Sequence, residues 1–393
     1  MSSKTNAPKR KLSKRQRVFA SIFGCFLAFA VFELLIRFYP PLELRVRGGR
    51  IALPMNTQTV IKNDRIFKID PEIIHSRNAI GFRGDNPPPD FPDHLTIVTV
   101  GGSTTECYYL SDNKTWPEQM RVRLKDDFNH IWVNNAGLDG HSTFGHRQLV
   151  QQYLSALKPK LAIFFIGIND FGRDVPRDFD NALERKTAAH EGLVKNAYLW
   201  SIQHSATISL LDTLRRTRNA TAAGVTHGNV NHSQLKLDVG NYREMPTSEK
   251  EALLVEHRTK YLPGFAERVR AMLDETRGFN IEPILMTQPA LYGPATDPET
   301  GVDLAKVTYA GIPGSLRWEL LELYNNVTRD IALNTNTLLI DAAHGIPKNS
   351  RLFYDYHHFT NEGATVLAQL VAEALTTFLI AHYPDFCKPP PAQ

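Results

Sequence analysis

A hydroxyl, an imidazole and a carboxylate make a nucleophile only when they meet, and four separated blocks of this chain supply the parts. Ser103 follows the run Leu95-Thr96-Ile97-Val98-Thr99-Val100 and the pair Gly101-Gly102. Downstream come Gly140, then Gly167-Ile168-Asn169-Asp170, then Asp355-Tyr356-His357-His358. A serine whose proton is drawn off by an imidazole attacks carbonyl carbon, and nearby N–H donors stabilise the oxyanion that forms. The chemistry these residues could perform together is acyl transfer from an ester.

Each block also has a plain structural reading. Ser103-Thr104-Thr105-Glu106 matches the S-x-x-E capping box, in which the serine only caps a helix. Gly140 closes the stretch Asn134 to Gly140, which reads equally as a turn after a strand; lacking a side chain, it can bring its N–H close to a substrate oxygen. The Asn169 amide can donate to an oxyanion while its own carbonyl is fixed by the turn, although Asn and Asp form turns wherever strands end. In Asp355-Tyr356-His357-His358, the D-x-x-H spacing lets the carboxylate fold back over one turn and accept the Nδ1 proton of His358, which leaves Nε2 to take a serine proton. His357 is the rival imidazole, and in an extended segment it points to the opposite side. Asp341 is a second carboxylate in reach of the argument, read first as a turn residue at the end of a strand.

Taken in order, these blocks resemble the SGNH (GDSL-like) hydrolase superfamily, over roughly Leu95 to Leu379. The resemblance implies Ser103 as nucleophile, His358 as base, Asp355 as its partner, and an oxyanion hole of the Ser103 and Gly140 N–H groups with the Asn169 side chain. It implies carboxylic-ester hydrolysis through an acyl-enzyme on an acyl-ester substrate, carbohydrate or lipid, without cofactor or metal. An O-acyltransferase with the same triad and a catalytically silent envelope scaffold are the alternatives. The first block departs from the family pattern, reading Gly-Gly-Ser-Thr where Gly-Asp-Ser is usual. Asn78-Ala79-Ile80-Gly81-Phe82-Arg83-Gly84 resembles a segment that precedes the first block in membrane-anchored relatives. It is read as a packing turn, with Arg83 as a remote option for substrate contact.

The elements that would position these residues are legible as periodicity. Strands are expected at Leu95 to Val100, Ile131 to Asn135, Leu161 to Ile166, Ile281 to Thr287 and Thr337 to Ile340. Helical patterns lie near Pro117 to Phe128, His146 to Leu157, Ser248 to Arg277, Leu316 to Leu333 and Asn361 to Ala381. Strands alternating with helices predict an α/β fold, a three-layer αβα sandwich on a five-stranded parallel sheet, and the resemblance makes it the flavodoxin-like SGNH hydrolase fold. Ser103, Gly140 and Asn169 would then share one edge of the sheet, where ligands of such sheets bind.

The chain of 393 residues is 42% hydrophobic with a net charge of +4, enough to bury a large core. Lys4, Lys9, Arg10, Lys11, Lys14, Arg15 and Arg17 precede an apolar run from Val18 to Ile36, ~28 Å long as a helix at about 1.5 Å per residue. The pattern predicts a transmembrane signal anchor with a cytoplasmic N-terminus; the resemblance is to the bacterial type, so an inner-membrane protein with a periplasmic catalytic domain is expected. A cleaved signal peptide is the competing reading, since Ala28-Phe29-Ala30 resembles a cleavage site. Nucleic-acid binding would need basic residues over the folded body, so no nucleic acid is expected as partner. The expected organisation is a basic tail at 1–17, the anchor at 18–36, a connector at 37–93, and a hydrolase domain at 94–385. An insertion at about 171–247 is long enough for a lid or binding element. Its Leu199, Trp200, Ile202, Ile208, Leu210, Leu211 and Leu214 could line an acyl pocket, rest on the membrane or, as first choice, pack on the core. Cys107 and Cys387 are the only conceivable internal disulfide pair, with simple packing preferred for Cys107.

Overall fold

The computed structural model describes residues 13–38, 46–47, 50–51, 53–64, 66, 68–176, 180, 193–222, 237, 239–240 and 242–389. An antiparallel hairpin, β1 (Thr57–Lys62) and β2 (Glu72–Arg77), precedes the main sheet. The sheet comprises β3 (Leu95–Gly101), β4 (Ile131–Asn135), β5 (Leu161–Phe165), β6 (Glu282–Met286) and β7 (Leu339–Ile340). All neighbours are parallel, in the order β7-β6-β5-β3-β4. The chain therefore starts inside the sheet, steps outward to β4 and returns past β3 to β5. That reversal opens a crevice at the carboxyl ends of β3 and β5, the place where doubly wound sheets bind ligands.

Continuous apolar runs form these strands because both faces are covered. Leu95, Ile97, Ile131, Val133, Leu161, Ile163, Ile284 and Met286 meet one apolar layer, built by α3 (Trp116–Leu124) and α10 (Asn361–His382). Val98, Val100, Trp132, Ala162, Phe164 and Leu285 meet the other. That layer comes from α4 (Thr143–Leu149), α8 (Leu262–Gly278) and α9 (Gly314–Asn334). The expected five-stranded three-layer sandwich is thus the observed fold.

Two helical patterns read as continuous carry a π turn. α4 runs through Val150–Leu154 into Ser155–Leu157, and α7 (Thr247–Glu256) reaches α8 through His257–Tyr261. In the second, Pro263 follows the wide turn and has no N–H to give, which breaks the regular ladder there. Cys107 and Cys387 are both free thiols; Cys107 is buried, its thiol pushed up to about 12 by burial.

α1 (Lys14–Phe38) has a mean hydropathy of 2.3 over its most apolar stretch and buries only Ile36. α10 is also long and apolar enough to cross a membrane, yet its Leu367, Val371, Leu375 and Leu379 lie in the core. Among the described residues the first is exposed along all but its last turns; the second is a core helix. Between β5 and β6, α5 (Leu193–His204) and α6 (Ala206–Ala222) form a helical hairpin, with Ile202, Ala206 and Leu210 buried.

Candidate active site

Ser103 is the first residue of a one-turn helix, α2 (Ser103–Glu106), at the carboxyl end of β3. Its Oγ lies 2.7 Å from His358 Nε2, and His358 Nδ1 lies 2.6 Å from Asp355 Oδ2. An ionised carboxylate can only accept, so Nδ1 carries the imidazole proton and Nε2 accepts from the serine hydroxyl. The other oxygen, Asp355 Oδ1, accepts the backbone N–H groups of His357 at 2.9 Å and His358 at 2.8 Å. The tight turn inferred from the D-x-x-H spacing is therefore built by the carboxylate itself. Tyr354 stacks on the imidazole, with centroids 5.4 Å apart.

Burial and charge act against each other here. Desolvation by itself would lower the His358 pKa, but the adjacent Asp355 carboxylate outweighs it and leaves the imidazole above its ordinary value. For Asp355 burial pushes upward, while His358, His357 and the hydrogen bonds they make hold the carboxyl far below the usual carboxylate range. The pair is thus poised as carboxylate and imidazole, able to take up a proton from Ser103. Asp355, His357 and His358 donor atoms lie within 4.8 Å of one another, but both His358 nitrogens are already engaged by Asp355 and Ser103.

Around Ser103, donors converge. Among the described residues, neither the Ser103 nor the Gly140 backbone N–H meets a protein acceptor. Gly140 reaches its position with φ +69°, a conformation that favours glycine. Asn169 Nδ2 donates to the His141 carbonyl at 2.9 Å, so the nitrogen of this amide is what the fold fixes, where the turn had been expected to fix its carbonyl. The same nitrogen packs so closely on the serine turn that a β-carbon at Gly102 would stand 2.0 Å from it. One N–H of the amide holds the loop, and among the described residues the second makes no other hydrogen bond.

The capping-box reading is replaced. The N-cap is Gly102, Ser103 spends its hydroxyl on His358, and Glu106 does not reach back to the helix start. Glu106 instead pairs with Arg77 at 2.5 Å, both side chains being buried, and accepts the Asp139 N–H at 2.6 Å. It thereby joins the β1–β2 hairpin, the serine turn and the Gly140 loop. Arg83 is buried among the carbonyls of Glu106, Cys107 and Leu110 and the Asp112 carboxylate, which makes it a clamp behind the serine turn and not a substrate contact. Asn135 donates to the Thr105 carbonyl at 2.6 Å, a further tie between β4 and α2.

Sequence reasoning missed these supports, along with Asp170 and Asp180. Asp170 is buried, accepts from the Thr143 N–H and hydroxyl, and meets Arg268, fixing the Asn169 turn against α4. Asp180 is fully buried and takes both the N–H and the hydroxyl of Ser142 at 2.7 Å. Asp170 ends a recognisable block and Glu106 was marked only as the end of a capping box, while nothing local in the chain marked Asp180. Asp341 bonds Thr287, Arg329 and His344, away from His358, and is the strand-end residue it was read to be.

The model of the GDSL-like lipase/acylhydrolase family matches residues 99–366, more than half of the chain. The chain belongs to this family. It is an ester hydrolase of the SGNH superfamily, and its matched region includes all four blocks. Comparison with curated proteins gave no match. Several solved structures are similar at low identity. Axe2, an acetylxylan esterase from Geobacillus stearothermophilus, is 16% identical, with 72% of this chain and 94% of that one covered and a TM-score of 0.40. A G-D-S-L family lipolytic protein from Desulfitobacterium hafniense DCB-2 is 14% identical, with 72% and 99% covered and a TM-score of 0.37. An acylhydrolase from Bacteroides fragilis NCTC 9343 is 12% identical, with 75% and 91% covered and a TM-score of 0.37.

Proposed function

We propose that this ester hydrolase works by Ser103, His358 and Asp355 through an acyl-enzyme, on acyl esters of envelope carbohydrate or lipid. The reading is carried by one observation, the unbroken line of short contacts from Asp355 through His358 to the Ser103 hydroxyl. His358 Nε2 takes the hydroxyl proton as Ser103 Oγ bonds to the ester carbonyl carbon. The oxygen turned negative is held by the N–H groups of Ser103 and Gly140 and the free N–H of Asn169. Collapse expels the alcohol, which leaves with the proton from His358. Water then repeats the attack on the acyl-serine, its proton passing through His358, and the carboxylic acid departs.

In the same reading α1 anchors the protein in the inner membrane, with the basic N-terminal tail in the cytoplasm and the catalytic domain on the periplasmic side. The basic residues before α1 and its exposed apolar surface support it. The test of the chemistry is fluorophosphonate labelling of the full-length chain in detergent, beside Ser103→Ala, with hydrolysis of nitrophenyl esters of increasing acyl length. Loss of both label and turnover in the variant is expected. Labelling that persists without Ser103 removes it as nucleophile.

A further inference from the structure

The apolar helix α1 holds a carboxylate, Glu33, about 7.5 Å before its end at Phe38 by helical rise. A charge at that depth is costly in hydrocarbon unless something satisfies it. Glu33 is satisfied by the start of α6. It accepts the N–H of Ala206 at 2.6 Å, the N–H of Thr207 at 2.9 Å and the Ser205 hydroxyl at 2.9 Å. The two N–H groups are orphan donors at a helix N-terminus, where a negative charge is also favoured by the aligned peptide dipoles. Arg37 adds a bond to the His204 carbonyl at 2.6 Å, and Ile36 packs with Ala206 and Leu210. The α5–α6 hairpin is thereby clamped to the last turns of α1, at the level where a spanning helix leaves the acyl region.

The outward surface of that hairpin suits this level. Trp200 and Leu211 are more than 60% exposed, and Tyr198 and Leu214 more than 40%. Leu211, Leu214, Arg215 and Arg218 fall on one helical stripe by their i, i+3, i+4, i+7 spacing, and all four are exposed. Apolar side chains set beside arginines, with Trp and Tyr nearby, form the surface of a helix that lies in a headgroup layer. The hairpin packs on α1 through Ile36, Ala206 and Leu210, and the charge of Arg218, with that of Arg215, which also pairs with Asp212 at 3.1 Å, suits anionic lipid.

We propose that the α5–α6 hairpin is a second membrane contact, lying in the headgroup region with Trp200, Leu211 and Leu214 in the acyl boundary and Arg215 and Arg218 toward anionic phosphates. The proposal rests on the reading of α1 as an anchor. The full-length chain is reconstituted in phosphatidylcholine and phosphatidylglycerol vesicles carrying bromine near the headgroup or near the chain ends, and tryptophan emission is measured with vesicle flotation. Stronger quenching by the shallow bromine, lost in Trp200→Phe, is expected, because Trp116 and Trp132 are buried and the half-buried Trp318 of α9 packs against Lys348. Leu211→Asp combined with Leu214→Asp should lose the same quenching while hydrolysing nitrophenyl esters normally. A chain that floats with vesicles but shows quenching independent of Trp200 overturns the hairpin contact and leaves the anchor standing. A chain that does not float overturns both. Cross-linking through position 211 to a second copy, with no quenching, assigns the face to self-association and overturns the proposal.

Discussion

His358 feels two opposing influences, burial that favours the neutral imidazole and the Asp355 carboxylate that favours the cation, and the carboxylate prevails. A base must be neutral to work, so the acid limb of kcat/KM is expected above the ordinary histidine value of 6.5. Asp355→Asn removes the group that raises the pKa. The limb should therefore move to lower pH while kcat falls roughly 10⁴-fold, as in other triads. A pH profile with an unmoved limb counts against Asp355 as the partner. Asn169→Ala should lower kcat by roughly 10² to 10³ with little change in KM, because the donor acts on charge that develops only in the transition state. Steady-state kinetics on one ester decides it. The pairing of Asp355 with His358 was legible because the D-x-x-H contact is local, spanning a single turn. The choice of His358 over His357 was legible for the same reason. The Ser103-to-Glu106 capping box misled because its spacing is real, and only the distant Arg77 and His358 draw the two side chains elsewhere.

Elements set the distances between these residues. The turn after β3 approaches the turn after β5 so closely that Gly102→Ala should push Asn169 aside. Its kcat should fall about as far as in Asn169→Ala, and the double variant should be no worse than either single one. Full additivity in that cycle says that the two positions act separately. Glu106→Ala strands the buried Arg77 and unties the Gly140 loop, and roughly 3–5 kcal/mol of stability should be lost, read by urea denaturation. A midpoint that does not move shows the pair to be idle. Strand positions followed from apolar runs bounded by Gly and Asn, since a strand covered on both faces needs little else to mark it. The hairpin at Thr57–Arg77 was not legible. Its strands alternate weakly, and they are held by contacts to Ser111 and Asp112 that lie far along the chain.

At the scale of the whole molecule, one apolar helix stands outside a folded domain and another of similar composition fills its core. Alkaline carbonate washing of membranes should leave the full-length chain in the pellet, and detergent should release it. Release by carbonate would sink the anchor. Composition alone cannot separate α1 from α10, because each is apolar along its length; what separates them is whether protein or solvent surrounds the helix.

The sequence by itself determined the order of strands and helices, the chemical types gathered at the sheet edge and the local pairing of Asp355 with His358. Those depend on periodicity and on spacings of a few residues, which the chain carries in its own order. Only the tertiary structure decided that Glu106 binds the loops together, that Arg83 is a clamp, that Asn169 is held by its nitrogen and that Glu33 caps α6. Each of these joins residues remote in sequence, and the free energy of burying a charge or an amide is fixed by partners that come near only once the chain is folded.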